Sequence, residues 1–295
     1  MQVLITGATG FIGQNLVKSL LNKGYSITTI VRHNSDISSI DSRAEVFRYS
    51  GEITELIALF QNKQFDGVIH LASLFLASHR TEDISSLVFS NIQFGTELLE
   101  VCKLSETKWF INTGTFWQHY HTDNYNPVNL YAATKQAFED IAKYYTETSN
   151  MVFTTIKLND TFGPHDPRNK VFNLWYRLSQ TDDTLEMSPG EQIIDICYID
   201  DVIGAYETMI DNLMNTSERV KNKTFSVRSK ERMSLINLSK IFEKAIGKPL
   251  NIQWGKRDYR EREVMTPWEN GENVPGWEAK YTLDEAIKKT IGAMK

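Results

Sequence analysis

Tyr131 and Lys135 form the residue pair in this 295-residue chain that is best suited to acid–base chemistry. A spacing of four residues places both side chains on one face of a helix, and apolar residues at Leu130, Phe138 and Ile141 predict that helix. A phenol has an unperturbed pKa of about 10, and a nearby ammonium group stabilises its ionised form. We therefore predict that Tyr131 exchanges a proton with a reacting oxygen and that Lys135 assists it.

The first residues predict the element that positions a ligand for this chemistry. Val3 to Ile5 form an apolar run, Gly7, Gly10 and Gly13 follow at three-residue spacing, and apolar residues then recur at helical spacing up to Lys23. A glycine-rich turn at a helix N-terminus lets backbone N–H groups face a pyrophosphate. The spacing differs from G-x-G-x-x-G, but the strand, turn and helix together predict a dinucleotide site.

Apolar runs and helical patterns alternate along the first half of the chain. We predict further strands at 26–32, 45–49, 66–72, 108–112 and 153–158. This alternation predicts a parallel sheet covered by helices on both faces, with ligands beyond the C-terminal ends of the strands.

The glycine spacing and Tyr131-x-x-x-Lys135 together resemble the short-chain dehydrogenase/reductase superfamily. The string TGATGFIG resembles its extended branch, the NAD-dependent epimerase/dehydratase family, and the resemblance covers essentially the whole chain. It implies an α/β fold: a doubly wound parallel sheet of the Rossmann type with a smaller, interleaved α/β substrate-binding region. We expect the nucleotide-binding domain at 1–162, with 194–228 returning to it, and the substrate-binding region at 163–193 and 229–295.

The resemblance implies three catalytic residues. The superfamily has a Ser or Thr just after its fifth strand, and Thr115 takes that position, with Thr113 as the alternative. Thr115 is expected to bind the substrate oxygen, Tyr131 to transfer the proton and Lys135 to bind the nicotinamide ribose as well. Lowering the pKa of Tyr131 by about three units requires about 4 kcal/mol, which we expect Lys135 and an oxidised nicotinamide to supply together.

Arg32 decides the expected cofactor. NAD-dependent relatives end the second strand in an acidic residue that binds the adenosine ribose, whereas an arginine there forms charge-assisted hydrogen bonds with a 2′-phosphate. We therefore expect NADP(H), with NAD as the alternative; a solvated Arg32, with Asp36 serving the ribose, is the competing interpretation. The expected dinucleotide contacts come from Gly7, Thr9, Gly10, Phe11, Ile12, Gly13, Arg32, Glu52, Ile53, Leu71, Ala72, Tyr131 and Lys135.

The residues after Thr115 argue against one reaction class. Sugar-nucleotide dehydratases of this branch have an Asp-Glu pair there to eliminate water, whereas this chain has Phe116, Trp117 and Gln118. His119 and His121 follow as either proton carriers or solvated loop residues.

The second half of the chain contains the expected substrate contacts. The asparagine with which the family contacts the substrate diphosphate falls at Asp160, with Asn159 as the alternative, and its diphosphate-binding arginine matches Arg260. A solvated ion-pair cluster is the competing interpretation for Arg260. The full set of expected substrate contacts is Thr115, Phe116, Asn159, Asp160, Lys170 and Arg260.

Within the branch, segments 112–117, 130–135 and 260–265 are most similar to the CDP-linked 3,6-dideoxyhexose synthases of the abequose and paratose type. This implies NADPH-dependent reduction of the 4-keto group of a CDP-4-keto-3,6-dideoxyhexose, for O-antigen biosynthesis. The same groups would serve an NAD-dependent nucleotide-sugar 4-epimerase, which Arg32 disfavours. A non-catalytic NADP-sensing regulator is a third hypothesis, which the intact Thr115, Tyr131 and Lys135 set disfavours.

Composition limits the partners and the location. The net charge of -5, without a long basic run, argues against nucleic acid, and no apolar stretch approaches the roughly 18 residues of a membrane span. Cys102 and Cys197 have no metal-ligand spacing and are expected to be buried thiols in a reducing compartment. A strand directly at the N-terminus leaves no room for a signal peptide. We expect a cytoplasmic protein without a metal that forms the family's usual homodimer through helices at 85–104 and 130–145.

Overall fold

The computed structural model describes residues 1–294. Its strands are β1 Gln2–Thr6, β2 Ser26–Arg32, β3 Glu45–Tyr49, β4 Gly67–His70, β5 Trp109–Thr115, β6 Val152–Leu158, β7 Asp160–Phe162, β8 Leu185–Glu186, β9 Ile193–Ile194, β10 Ile196–Tyr198, β11 Lys223–Val227, β12 Met233–Ser234 and β13 Ile252–Gln253. Its helices are α1 Phe11–Asn22, α2 Ile53–Asn62, α3 Ile84–Val88, α4 Phe94–Leu104, α5 Leu130–Thr148, α6 Val171–Ser179, α7 Ile199–Asn215, α8 Ser217–Val220, α9 Leu235–Ile246 and α10 Leu283–Gly292. A π turn at Phe89–Gln93 joins α3 to α4.

Seven parallel strands form the main sheet, in the order β3-β2-β1-β4-β5-β6-β11. Side chains of a strand alternate between the two faces of its sheet. Val3 and Ile5 accordingly belong to the apolar cluster that includes α1 and α7, and Leu4 belongs to the cluster that includes α2, α4 and α5. The predicted doubly wound Rossmann-type sheet is confirmed.

The length of a strand depends on the length of the neighbouring strand with which it pairs. β2 has its predicted bounds, and β11 pairs in parallel with β6 at one edge of the sheet. β5 continues three residues beyond its predicted end because Thr113–Thr115 pair with 156–158 of β6. β13 is only two residues long because its partner β8 is equally short.

The residues after β11 are attached to the main body by two buried aspartates. Asp195 forms an ion pair with Arg232, with 2.6 Å between Oδ2 and Nη2. The side chain of Asp201 accepts backbone N–H groups of Lys280 and Tyr281 at 2.8 and 3.3 Å. These contacts fix the residues after β11 against α7 and against Asp195, between β9 and β10. The division into nucleotide-binding and substrate-binding regions remains a prediction.

Among residues 1–294, no helix combines the length and the apolarity needed to cross a bilayer. Cys102 and Cys197 are buried free thiols.

Candidate active site

The glycine turn forms a close-packed cradle between β1 and α1. Gly7 has a φ of +74°, and a Cβ there would lie 2.7 Å from the backbone nitrogen of Ala72. A Cβ on Gly13 would lie 2.2 Å from the carbonyl oxygen of Gly7. Gly10 is exposed, and the one atom near a Cβ placed on it is the same carbonyl oxygen at 3.2 Å. A side chain at Gly7 or Gly13 would therefore clash within the turn, so these two glycines allow the turn to form. Gly10 instead leaves room for a ligand on the open side of the turn.

This cradle fits a dinucleotide phosphate. Gly10 is the N-cap of α1 and supplies no capping side chain, so the first amides of the helix can face an anion. The backbone of Leu71 and Ala72 lies directly against Gly7, and the Ala72 N–H donates to Thr6 Oγ1 at 3.1 Å. The predicted glycine, Leu71 and Ala72 positions thus meet at one edge of the sheet.

The other predicted dinucleotide contacts surround the same edge. Phe11 is buried at the start of α1, and the Arg168 guanidinium lies 4.7 Å from the centre of its ring. Thr9 and Ile12 are partly buried beside it. Glu52 and Ile53 are at the start of α2, directly beyond the end of β3.

Two arginines stand where β2 ends. Arg32 is exposed and has no carboxylate within 4.0 Å among residues 1–294. Arg48, which the sequence reasoning missed, lies on β3 beside Val31 and donates to the carbonyl oxygens of His33 and Ser35. Asp36 accepts the N–H of Ser38 at 2.9 Å, so this carboxylate already serves a local turn.

Tyr131 lies in the first turn of α5 and is partly buried. Burial raises the pKa of Tyr131 to about 12; the Ser73 hydroxyl acts to lower it, and the charge of Asp160 raises it further. The sequence reasoning expected a lowered value in the presence of an oxidised nicotinamide. In the protein alone the shift has the opposite sign, and the phenol is protonated at neutral pH.

Lys135 is one helical turn further along α5 and is only 1% exposed. Burial lowers its pKa from 10.5 to about 8, opposed by the charge of Glu139. No carboxylate among residues 1–294 lies within 4.0 Å of its ammonium group. A buried, unpaired ammonium group beside a dinucleotide cradle fits a role in binding ribose hydroxyls.

Thr115 ends β5 and is 8% exposed. Its Oγ1 accepts the N–H of Trp117 at 3.3 Å, so the hydroxyl proton can be donated elsewhere. The alternative residue, Thr113, shares a hydrogen bond of 2.6 Å with the buried phenol of Tyr206 on α7. Thr113 thus already has a hydrogen-bond partner inside the fold, whereas the hydroxyl of Thr115 can donate a hydrogen bond to a ligand.

A buried polar network behind Thr115 was not predicted. The Thr115 N–H donates to Gln118 Oε1 at 3.0 Å, and Gln118 Nε2 donates to Glu139 at 3.1 Å. Lys157 on β6 is 4% exposed and lies beside this network, where its charge and that of Glu139 act on each other's pKa. The Gln118 side chain is therefore turned into the interior, where it is fully buried.

His119 joins this network to the segment after α9. Its Nδ1 lies 3.3 Å from the carbonyl oxygen of Asn124, which can only accept, so this nitrogen carries the proton. Its Nε2 accepts from Lys157 Nζ at 2.8 Å. The imidazole also stacks on Trp268, with ring centres 4.1 Å apart. His121 is exposed, and its Nε2 lies 3.3 Å from the Glu263 carbonyl oxygen.

A cavity of about 400 Å³ lies between α6, β8 and residues 257–267. Four of the six predicted substrate-binding residues line it, namely Asn159, Asp160, Lys170 and Arg260. Phe116 is 2% exposed and packs edge-on against Trp268, so a direct substrate contact from its side chain stays a prediction. Its neighbour Trp117 lines the cavity instead.

Unpaired cations face this cavity. No carboxylate among residues 1–294 lies within 4.0 Å of the guanidinium of Arg257 or of Arg260, and both residues are exposed. The Glu263 carboxylate accepts the backbone N–H of Arg260 at 3.4 Å, so both interpretations of Arg260 stay predictions. Lys170 Nζ lies 2.8 Å from Asp160, which offsets the negative charge at the position where the family has asparagine. Glu186, Asp195, Asp258 and Glu263 also line the cavity, so binding of an anionic ligand there stays a prediction.

Comparison with known proteins agrees with this geometry. A model of the NAD dependent epimerase/dehydratase family matches residues 3–222. The chain is 26% identical to the CDP-abequose synthase of Salmonella muenchen over 98% of its own length and 97% of that protein.

Solved structures resemble the whole chain. UDP-glucose 4-epimerase from Thermotoga maritima, with UDP-glucose, gives a TM-score of 0.87 at 20% identity and covers 100% of this chain and 98% of its own. UDP-glucuronic acid 4-epimerase from Bacillus cereus, with UDP-glucuronic acid and NAD, gives 0.85 at 22% identity and covers 100% and 99%. At these identities the likeness shows a shared fold.

Proposed function

Because this chain belongs to the NAD-dependent epimerase/dehydratase family and is thus an NAD(P)-dependent enzyme of the short-chain dehydrogenase/reductase type, we propose that it reduces the 4-keto group of a nucleotide-linked deoxyhexose. The proposed substrate is a CDP-4-keto-3,6-dideoxyhexose, the hydride donor is NADPH, and the product serves O-antigen biosynthesis. The similarity to CDP-abequose synthase over nearly the full length of both proteins supports this choice of nucleotide and sugar.

One observation carries the proposal of a reductase: Arg32, exposed where β2 ends and without a carboxylate within 4.0 Å among residues 1–294, favours NADPH as the hydride donor, and the Tyr131 phenol can serve as the proton donor. Reduction of a ketone requires a proton donor, whereas a 4-epimerase begins by removing a proton from a sugar alcohol. The turn after Thr115 supplies no acid for a dehydratase, since Phe116, Trp117 and Gln118 have no ionisable side chain.

The proposed mechanism assigns one task to each residue. When bound, the dinucleotide supplies the hydride that C4 of the sugar receives. Tyr131 gives its phenolic proton to the ketone oxygen, which becomes the new hydroxyl, and the phenolate later regains a proton from solvent. Thr115 donates a hydrogen bond to the same oxygen, and the ammonium of Lys135 stabilises the transient phenolate.

Arginines support the proposed identity of both ligands, NADPH and the nucleotide sugar. Arg32 and Arg48, at the ends of adjacent strands, favour the 2′-phosphate of NADPH. Arg257 and Arg260 supply the cationic groups that we propose for binding the diphosphate, whereas Lys170 is paired with Asp160.

The test is the loss of NADPH absorbance when the protein is mixed with a CDP-4-keto-3,6-dideoxyhexose. We expect rapid loss with wild type, much slower loss with NADH, and none with Tyr131→Phe. Purified protein that retains NAD and interconverts two nucleotide sugars without consuming NADPH would replace this proposal with the 4-epimerase. A Tyr131→Phe variant that supports full biological function would favour the NADP-sensing regulator.

We also propose a homodimer through the helical stretches at 84–104 and 130–148. These stretches expose apolar side chains at Ile84, Val88 and Leu104, and Tyr144 is 58% exposed. Light scattering is expected to give twice the chain mass for wild type and a single-chain mass for Val88→Glu. A single-chain mass for wild type would refute the dimer.

A further inference from the structure

Phe75 is an exposed aromatic residue next to Tyr131. It lies in the segment after β4 and is 44% exposed. Its ring meets the Tyr131 ring edge-on, with centres 5.1 Å apart and planes at 82°. The exposed part of this ring makes no contribution to folding, because its apolar surface remains in water.

The fold holds Phe75 in this position from both sides. Asn91, buried in the π turn, accepts the Leu74 N–H at 2.7 Å and donates to the Leu74 carbonyl oxygen at 3.1 Å. Asn129, the N-cap of α5, donates to the carbonyl oxygen of Leu76 at 3.1 Å. Asn91 also donates to Thr134 on α5 at 2.9 Å. The backbone around Phe75 is thus attached to the helix that carries Tyr131, so the two rings are fixed relative to each other.

Phe75 also connects Tyr131 to the cavity. Its ring centre lies 5.0 Å from Lys170 Nζ and 5.4 Å from the ring of Trp117, and both of those residues line the cavity. If the nucleotide occupies the cavity and the ketone meets Tyr131, the sugar between them must lie against Phe75 and Trp117.

The aromatic faces offer this sugar no hydrogen-bond acceptor comparable to a carbonyl or carboxylate. A hydroxyl group turned toward them would lose the hydrogen bond that it donates to water without replacement, whereas a CH or CH₃ group would gain apolar contact. We infer that Phe75 and Trp117 form an aromatic platform that selects hexoses lacking hydroxyl groups on the ring positions that contact it. This inference rests on the proposed function and specifies the sugar class at the same site.

Two ketones that differ by one hydroxyl test the platform: CDP-4-keto-3,6-dideoxyhexose and CDP-4-keto-6-deoxyhexose. Wild type is expected to favour the dideoxy sugar in kcat/KM by about 10-fold to 100-fold, the range typical of a hydroxyl group against an apolar pocket. Phe75→Ser should remove most of this preference, mainly by raising KM for the dideoxy sugar, and Phe75→Leu should keep most of it. Tyr125→Ser removes another exposed aromatic residue (49% exposed) and should leave the preference unchanged.

Binding measured by calorimetry separates this inference from the proposed reaction. The dissociation constants of a CDP-linked 3,6-dideoxyhexose and CDP-glucose need no turnover, and the ratio of the CDP-glucose constant to the dideoxyhexose constant should fall in Phe75→Ser. If wild type reduces neither ketone but Phe75→Ser changes this ratio, the proposed reaction fails and the platform stands. Equal effects of Phe75→Ser on both sugars, in binding or in kcat/KM, would overturn the platform.

Discussion

The ammonium of Lys157 donates a hydrogen bond of 2.8 Å to Nε2 of His119, and this bond requires a neutral imidazole. Burial and the charge of Lys157 both lower the pKa of His119 from its usual 6.5. The folded protein therefore resists protonation of His119 more than the unfolded chain does. Stability is lost as pH falls below about 6.5, because the unfolded chain then binds the extra proton.

We predict that acidification releases the contact between His119 and Trp268 before the fold is lost. Protonation would place two cations at hydrogen-bonding distance, so the stacked Trp268 should gain solvent contact. The Trp268 fluorescence, identified by comparison with Trp268→Phe, should change below pH 6.5 while the far-UV circular dichroism stays constant. His119→Phe keeps an aromatic ring without titration and should lack the change; His79→Gln is the matched control. An unchanged transition in His119→Phe would refute this role.

Lys135 is predicted to reduce stability at neutral pH. Its pKa falls from 10.5 to about 8 on folding, which corresponds to about 3 kcal/mol. The penalty is complete below pH 8, where the group is charged in both states, and disappears as pH rises toward 10.5. Lys135→Met should therefore unfold at higher urea concentration at pH 7 while losing activity. A variant that is less stable than wild type at pH 7 would contradict the prediction.

Gly10 and Gly13 are predicted to respond differently to alanine. A Cβ on Gly13 meets the Gly7 carbonyl oxygen at 2.2 Å, which the backbone cannot accommodate without moving. Gly13→Ala should cost about 3 kcal/mol in the free energy of unfolding. Gly10→Ala should cost under about 1 kcal/mol but weaken NADPH binding, since its Cβ occupies the open side of the turn. Urea unfolding and fluorescence titration with NADPH measure the two effects; equal stabilities would reject this assignment.

The two arginines near the end of β2 are predicted to set cofactor preference. Arg32→Ser should weaken NADPH binding by about 10-fold to 100-fold, the value of a charge-assisted hydrogen bond, and leave NADH binding nearly unchanged. Arg48→Ser should have a smaller effect in the same direction, because Arg48 also holds the carbonyl oxygens of the following turn.

Arg43 is the matched control for this experiment. It is an exposed guanidinium on the segment between β2 and β3 and already pairs with Asp41, so Arg43→Ser should change neither affinity. Equal losses for NADPH and NADH in Arg32→Ser would remove the basis for an NADP preference.

Local patterns account for what could be predicted from the sequence. The glycine turn depends on residues within one strand, turn and helix, and Tyr131 and Lys135 depend on one helical turn. The order of the parallel strands depends on alternation along the chain. In each case the determining residues are neighbours in sequence, so periodicity and turn chemistry suffice.

The features that could not be predicted from the sequence depend on contacts between residues that are distant in the chain. Gln118, Glu139 and Lys157 are on three different elements, and only the packed sheet brings them together. The exposure of Phe75 depends on Asn91 and Asn129, which are distant in sequence. The pKa of Tyr131 depends on burial, which local spacing does not determine. One feature of the sequence could have indicated Phe75. It is an aromatic residue in the segment after a strand, at the edge of the sheet where ligands bind.

The sheet order has a consequence for synthesis on the ribosome. Six of the seven strands of the main sheet, with the glycine turn and Tyr131, lie within the first 158 residues. The arginines that face the cavity and the backbone held by Asp201 emerge last. Since domains fold from the N-terminal side as they are made, a nascent chain is expected to bind NADPH before it can bind a nucleotide sugar. Chains arrested before residue 257 would then bind the cofactor but not the substrate. In the cell they would compete for NADPH without consuming it.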